Sequence, residues 1–226
     1  MLFDLRSRGR RRTVQGVYLG LAILMGGGLV LFGVGAGNGI GGLLNAFTGQ
    51  GSSSAQKQVV SQQEKDALRA TQLNPNDPAA WASLVEARWT SAGEGSDYNT
   101  ATSTFTASGK RELTAATQAW QRYLQLTKNP DPNAAIVAAR AYTALGQYAN
   151  SANAWELEAA ATPTVTKSYE CLAATSYAAG QTRKGDLATA KALSMLAAGA
   201  TRTQTKSLLQ SAKSSTHTAA QIAQQC

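Results

Sequence analysis

An uncharged apolar run near the N-terminus sets the strongest constraint on this chain. No Asp, Glu, Lys or Arg occurs between Thr13 and Gln56, and residues 17–34 (VYLGLAILMGGGLVLFGV) carry no group more polar than the Tyr18 hydroxyl. As a helix these residues would extend for about 27 Å, close to the hydrocarbon thickness of a bilayer. The run therefore predicts a transmembrane helix over residues 14–36, with membrane lipid as its surroundings.

Positive charge lies on only one side of this run. Five Arg and one Asp fall within residues 1–13, whereas the first basic residue on the other side is Lys57. Positively charged flanks are retained in the cytoplasm, so we expect residues 1–13 to be cytoplasmic. A Gly/Ser-rich linker at residues 37–56 would then lead to an extracytoplasmic domain. The predicted location is a single pass through the plasma membrane.

A cleaved signal peptide is the alternative interpretation of the same segment. Residues 34–36 (VGA) loosely fit a cleavage site, but the apolar run is longer than the about 7–15 residues of a signal peptide. We favour the uncleaved anchor on this length. The alternative would make the mature protein a secreted, soluble binding protein.

Glycine is dense in and after the predicted membrane helix. Gly16 and Gly20, like Gly33 and Gly37, have the small-xxx-small spacing that lets two helices approach closely in lipid. Glycine is also frequent in membrane helices without such a role. For Gly16 and Gly20 both interpretations stay open, and packing there would imply a partner helix or self-association. For the later glycines a frayed helix exit is favoured.

The residues after the anchor have the composition of an all-α domain. Ala is abundant, and alternating runs rich in Val, Ile and Thr are missing. The prolines all fall between Ala-rich segments: Pro75, Pro78, Pro130, Pro132 and Pro163. The numbers 130 and 163 differ by 33, which is typical of a repeat of helix pairs. A polar Gly/Ser/Thr-rich stretch, residues 90–112, is predicted as a long loop.

These helix pairs resemble the tetratricopeptide repeat family. The middle repeat matches through Ala135, Ala138, Ala139, Tyr142, Gly146, Tyr148, Trp155 and Pro163. Ser151 and Glu158 stand where the family has small Ala residues. The first repeat matches through Trp81, Leu84, Ala116, Trp120, Tyr123 and Leu124, and the third through Tyr169, Leu172, Ala173, Gly180, Leu187, Ala190 and Leu193.

The resemblance implies an α-solenoid of about three helix pairs over residues 57–200. Ala67, Ala70 and Leu73 would belong to a preceding half repeat, and residues 201–226 to a C-terminal cap helix and tail. About seven helices are expected after the anchor. Membrane-anchored bacterial proteins similar in architecture associate with the Sec translocon, periplasmic chaperones, or division and envelope machinery. The implied role is an inner-membrane scaffold or accessory factor that binds a membrane complex or secreted client.

In this family the first helix of each pair lines a concave groove. The groove positions correspond here to Glu86, Trp89, Thr90, Ile136, Arg140 and Thr143. One interpretation makes Trp89 an apolar anchor for a peptide, flanked by Glu86 and Arg140. The other, which we favour, packs Trp89 under the long loop or an N-terminal helix and leaves both charges as ordinary surface groups. The Lys and Asn of the family's carboxylate clamp are absent.

The predicted loop at residues 90–112 is a second candidate site. A connection of this length inside a compact domain is commonly functional or disordered. Its aromatic residues, Tyr98 and Phe105, would either pin the loop to the domain or contact a partner.

The residue inventory speaks against an enzyme. His217 is the only histidine and lies near the C-terminus, so a His-based triad or multi-His metal site is excluded. The Gly-rich stretch at residues 33–42 lacks a Walker lysine. We therefore expect no catalytic residues, no cofactor and no metal.

Charge and cysteine content narrow the partners further. Half of the net charge of +8 comes from residues 1–50, and the remaining Lys and Arg are interspersed with acids, so nucleic-acid binding is not expected. Cys171 and Cys226 could form a single bridge outside the cytoplasm. The favoured interpretation is a buried, apolar Cys171 and a mobile Cys226 at the end of the tail.

Overall fold

The computed structural model of this chain describes residues 53–226, which are predominantly helical. The helices are α1 (Ser53–Leu73), α2 (Pro78–Ala92), α3 (Ala107–Leu126), α4 (Pro132–Ala144), α5 (Tyr148–Ala161), α6 (Thr166–Ala178), α7 (Thr182–Met195), α8 (Ala200–Ser214) and α9 (Thr216–Ala223). Within these residues the only sheet is an antiparallel hairpin of β1 (Tyr98–Asn99) and β2 (Thr104–Phe105). The predicted all-α class is confirmed for this part of the chain.

The predicted membrane segment falls outside the described residues. This applies to the stretch 1–13 that is predicted to be cytoplasmic, to the helix predicted at 14–36, and to the four glycines assigned to helix packing, Gly16, Gly20, Gly33 and Gly37. Among residues 53–226, no helix combines the length and apolarity that a bilayer crossing requires. The predicted linker at 37–56 overlaps α1, because that helix begins at Ser53.

Asp–Pro pairs and short glycine loops set the helix boundaries. Asp77 caps α2 by accepting from the Ala79 N–H at 3.0 Å, and Asp131 caps α4 by accepting from the Asn133 N–H at 2.7 Å. In both helices proline follows the cap, where its missing N–H costs no hydrogen bond. Gly146 takes a positive φ of 73° in the loop after α4, a conformation that side chains disfavour.

The helices pack as successive antiparallel pairs. Helices α2 and α3, α4 and α5, and α6 and α7 contact each other, and α5 also packs on α6. Helices α4, α6 and α8 begin at residues 132, 166 and 200, numbers that differ by 34 each time.

The core combines large rings with alanines. Trp120 and Trp155 are 2% and 3% exposed, and Ala135, Ala138 and Ala139 of α4 are fully buried in the same cluster. Small side chains on one helix let a ring from its neighbour approach closely. The core therefore runs through the helix pairs.

The loop predicted at residues 90–112 is shorter than expected. Helix α2 continues to Ala92, and α3 already begins at Ala107, because the Thr106 hydroxyl accepts from the Gly109 N–H and caps it. The polar Ser and Thr residues that suggested a loop thus belong partly to helix ends. The remaining residues 93–106 form a 3₁₀ turn and the hairpin. A Cβ at Gly109 would overlap the main-chain oxygen of Asp97, so this connection packs tightly on α3.

The prediction for the C-terminal residues is wrong in two respects. A further helix, α9, follows the cap helix α8 and packs on α6, which contributes to a total of nine described α-helices rather than about seven. Cys226 is neither mobile nor free, because it forms a disulfide with Cys171 of α6 across a Cα–Cα distance of 5.7 Å. Ala219 and Ala223 explain the docking, since their i, i+4 spacing places both on the buried side of α9.

Candidate functional site

The α9-binding surface, defined by Arg140 of α4 and Cys171 of α6, holds the end of α9. Arg140 donates from Nε to the main-chain oxygen of Cys226 at 2.9 Å. Cys171 is fully buried and is bonded to the same residue. One hydrogen bond and one covalent bond thus fix Cys226 to two different helix pairs.

Helix α9 is amphipathic, with one side buried against the domain and the other side exposed. Ala219 and Ala223 are 0% and 2% exposed, and Ile222 packs partly buried against the main core. The residues on its other side are exposed: His217, Gln221, Gln224 and Gln225. The Ser215 hydroxyl caps the helix by accepting from the Thr218 N–H. The buried side chains are small, so α9 lies close to its neighbours.

A separate cleft of about 360 Å³ lies beside the start of α2. Its lining residues are Pro78, Ala79, Ala82, Ser83, Glu86, Tyr123, Thr127 and Asp131. The Tyr123 hydroxyl accepts from the Asp131 N–H at 2.7 Å, which ties the end of α3 to the start of α4. We call this the acidic cleft, because its lining includes two carboxylates and no Lys or Arg.

Burial and charge shift the ionisation of the acidic cleft. Burial raises the pKa of Glu86 above its ordinary value, and the negative charge of Asp131 raises that pKa further. A cation placed between these two carboxylates would relieve the repulsion that raises the pKa. The cleft is therefore suited to a Lys or Arg side chain rather than to an acidic group.

The contacts of Trp89 favour the second of its two interpretations. Its ring centroid lies 5.9 Å from that of Phe105, and the ring packs against a small cluster of Ala92, Leu113 and Ala141. The Thr90 hydroxyl donates to the main-chain oxygen of Glu86 at 3.0 Å. Trp89 thus packs against the hairpin, and the Thr90 hydroxyl forms its hydrogen bond within its own helix.

The loop aromatics pin the hairpin to the domain. Tyr98 pairs with Phe105 across the two strands, with an edge-on ring contact at 5.1 Å. Phe105 in turn packs against the cluster that contains Leu113 of α3. These contacts account for both aromatic side chains within the fold.

The three predicted groove positions of α4 have different surroundings. Ile136 packs partly buried against the main core, and Arg140 reaches Cys226. Thr143 is a correction, because it is 6% exposed and its hydroxyl lies 2.8 Å from that of Ser151 in α5. Ser151 donates to the Ala139 main-chain oxygen at 2.9 Å, so this polar pair joins α4 to α5 instead of facing a groove.

Two features were not predicted from the sequence. The bridge between Cys171 and Cys226 was an open alternative rather than the favoured one, and Asp131 was not placed next to Glu86. The Ala219–Ala223 spacing, with Ile222 between and a cysteine just beyond, was a signal that α9 would dock. No comparable signal in the sequence indicates the acidic cleft, because Asp131 before a proline has the pattern of an ordinary helix cap.

An ionic group joins helices α6, α7 and α8. The Tyr177 hydroxyl donates to Asp186 at 2.8 Å, and Lys213 of α8 lies 2.7 Å from the same carboxylate. Burial raises the pKa of Tyr177 to about 12. The hydrogen bond from Lys213, followed by that from Tyr177, lowers the pKa of Asp186. These bonds link α6, α7 and α8.

The chain has been compared with known proteins at the level of sequence. No protein-family model matches it. No curated protein matches it either. Any function has therefore to be argued from the α9-binding surface, the acidic cleft and the sequence itself.

Proposed function

We propose that this chain is a membrane-anchored scaffold for protein–protein interactions, acting as an accessory factor of an envelope complex. The observation that supports it most is the amphipathic helix α9, seated against α6 and bonded to Arg140 of α4. A surface that holds one amphipathic helix has the chemistry by which helices are recognised in grooves. The ligand would be a protein segment from a membrane complex or a secreted client.

A tetratricopeptide-type solenoid is the finer fold that we propose. The 34-residue interval between helix starts and the antiparallel pairing support it. Helix α1 would be the second helix of a half repeat, since Ala67 joins the core and Glu64 accepts from the Ser91 hydroxyl of α2 at 2.7 Å. Helix α8 would cap the last pair.

We propose an extracytoplasmic location for this domain, behind an anchor at residues 14–36. The arginine-rich segment 1–13 supports a cytoplasmic N-terminus. The Cys171–Cys226 disulfide supports an oxidising compartment on the other side, because such bonds are rare in the cytosol. A C-terminal reporter that is active only in the cytoplasm should stay silent, and activity would contradict this topology.

Retention of the anchor separates this proposal from a secreted binding protein. Intact mass of the protein purified from its native membrane should include residues 1–36. A mature species that starts after residue 36 would favour the secreted alternative. Leu at both Gly16 and Gly20 should leave insertion intact and weaken packing against a partner helix.

The acidic cleft gives the sharpest test of partner binding. Glu86→Arg reverses the charge inside the cleft, and Glu156→Arg makes the same change on exposed α5, where Glu156 pairs with Lys184 at 2.7 Å. We expect E86R to lower the yield of co-purified partners from native membranes about tenfold, as for loss of a central contact. E156R should match the parent. Equal yields from both variants, with both folded, would contradict recognition at this cleft.

A further inference from the structure

Two kinds of contact hold α9 on the domain, and only one of them depends on redox state. Ala219 and Ala223 are buried, and Arg140 binds the Cys226 main-chain oxygen, an atom that takes no part in the disulfide. The disulfide to Cys171 is the second contact. Reduction would therefore leave α9 with its non-covalent contacts alone.

Those non-covalent contacts are modest. Helix α9 has eight residues, and the two side chains that it buries most deeply are single methyl groups. Helices this short are marginal in water unless tertiary contacts hold them. Removal of a methyl group from water stabilises docking far less than burial of Leu or Phe. The covalent bond therefore decides whether α9 stays in place.

Cys226 is the more exposed of the two bonded cysteines. Cys171 is fully buried, whereas Cys226 is half-buried beside exposed Gln224 and Gln225. A thiolate of a dithiol reductant attacks the Cys226 sulfur, the S–S bond breaks, and Cys171 leaves as a thiolate that takes up a proton. The second thiol of the reductant displaces Cys226 and closes the reductant's own disulfide. Two electrons thus pass from the dithiol to this chain.

We propose that the α9-binding surface is a helix-recognition site whose access the Cys171–Cys226 disulfide controls. In the oxidised chain α9 occupies the surface. After reduction by a dithiol, α9 gives way to a helix of a second protein that has the same pattern: Ala at i and i+4, and an aliphatic residue at i+3. This inference rests on the proposed scaffold function, and it specifies the residue pattern of the partner's helix.

The contacts of α9 describe the partner helix that fits. Small residues match Ala219 and Ala223, because their close approach leaves no space for larger side chains. An aliphatic residue matches Ile222, which packs against the core. Arg140 needs a main-chain oxygen or carboxylate at the end of the helix, as Cys226 supplies. Polar residues suit the outer side, where α9 carries glutamines.

A labelled peptide of residues 214–226 carrying C226S is the probe for this site. In the parent, tethered α9 competes at a high effective concentration, so the peptide should not bind the oxidised full chain. The full-length variant A219E/A223E/C226S should expel its own α9 and bind the peptide at least about a hundredfold more tightly than the oxidised parent, by fluorescence anisotropy. A peptide that also carries A219E and A223E is the matched control and should not bind.

Peptide binding has two outcomes that overturn the proposal. One is equal affinity for the oxidised parent and the folded triple variant, and the other is equal binding of the control peptide. Formation of a disulfide-linked dimer after reduction and reoxidation, with no peptide binding, would identify α9 of a second copy as the occupant and would also overturn it.

Hydrogen exchange on the parent chain keeps the proposal testable if the triple variant fails to fold. Addition of dithiothreitol should accelerate amide exchange in residues 216–226 at least about tenfold while α4 and α6 remain protected. Unchanged exchange would mean that α9 stays in the core after reduction, and it would overturn the proposed control by the disulfide. The scaffold function would survive that result, because the E86R comparison probes a different surface.

Discussion

Arg140 of α4 donates from its Nε to the main-chain oxygen of Cys226, a residue 86 positions further along the chain. The sulfur of Cys226 is bonded to Cys171 of α6. A single residue therefore fastens α9 to two successive helix pairs. The surface of α4 and α6 is accordingly occupied from within the chain, whereas the acidic cleft beside α2 is open.

Loss of the disulfide should lower stability by a measurable amount. The bond joins residues 55 apart, and closing a loop of this size in the unfolded chain contributes up to about 4 kcal/mol. We expect C226S to lower the free energy of unfolding by up to that amount in urea denaturation. The reduced parent serves as control and should lose as much as C226S. No change in either sample would show that the bond does not constrain the unfolded chain.

Glu158→Gln should stabilise the domain. Glu158 is 3% exposed, its Oε1 accepts from Thr162, and its Oε2 has no hydrogen-bond partner within residues 53–226. A neutral amide of the same shape removes the cost of burying an unpaired charge, so we expect a gain of about 1 kcal/mol in urea denaturation. E156Q on the same helix should change stability little, since Glu156 is exposed. A loss in E158Q would contradict this account.

Gly185→Ala should destabilise the contact between α6 and α7. A Cβ at Gly185 would lie 2.5 Å from the Tyr177 ring, and hydrogen bonds to Asp186 and Thr189 hold that ring in place. Overpacking of this kind costs about 1–3 kcal/mol. Gly93→Ala is the control, because the nearest atom there is 3.6 Å away. Equal thermal stability of both variants would mean that the ring moves freely.

Tyr177 should ionise at a higher pH in the folded chain than in the unfolded chain. Burial raises its pKa from 10.0 to about 12, so the folded state holds this proton more tightly than the unfolded state does. The resulting stability is fully present below about pH 10 and is lost as the pH rises through about 12. Tyrosinate absorbance should show a group that titrates near pH 12 in the parent and is missing from Y177F. Identical titrations would contradict the hydrogen-bonded burial of Tyr177.

The sequence could predict the helix pairs because their signals are local. Asp77 and Asp131 before proline mark helix starts, and the alanines of α4 recur at helical spacing. Both signals depend only on neighbouring residues. The ends of the loop after α2 were placed wrongly because Thr106 caps α3. Threonine is common in loops as well as at helix N-termini, so it did not mark the helix start.

The candidate site was harder to predict because its contacts are distant in sequence. Cys171 and Cys226 are 55 residues apart, and the sequence alone left their bridge as one of two interpretations. Thr143 was assigned to a groove by the resemblance alone, but its hydroxyl lies 2.8 Å from that of Ser151 in α5.

In-cell photocrosslinking tests the central claim, that a protein partner binds this chain at the acidic cleft, most directly. A photoreactive residue at Ser83, which is exposed and lines the acidic cleft, is compared with one at Leu187, which is 66% exposed on α7. The account predicts a discrete crosslinked protein from Ser83 that is absent from Leu187 and is lost when E86R is added. Crosslinks from Leu187 alone, or Ser83 crosslinks that E86R leaves unchanged, would contradict it.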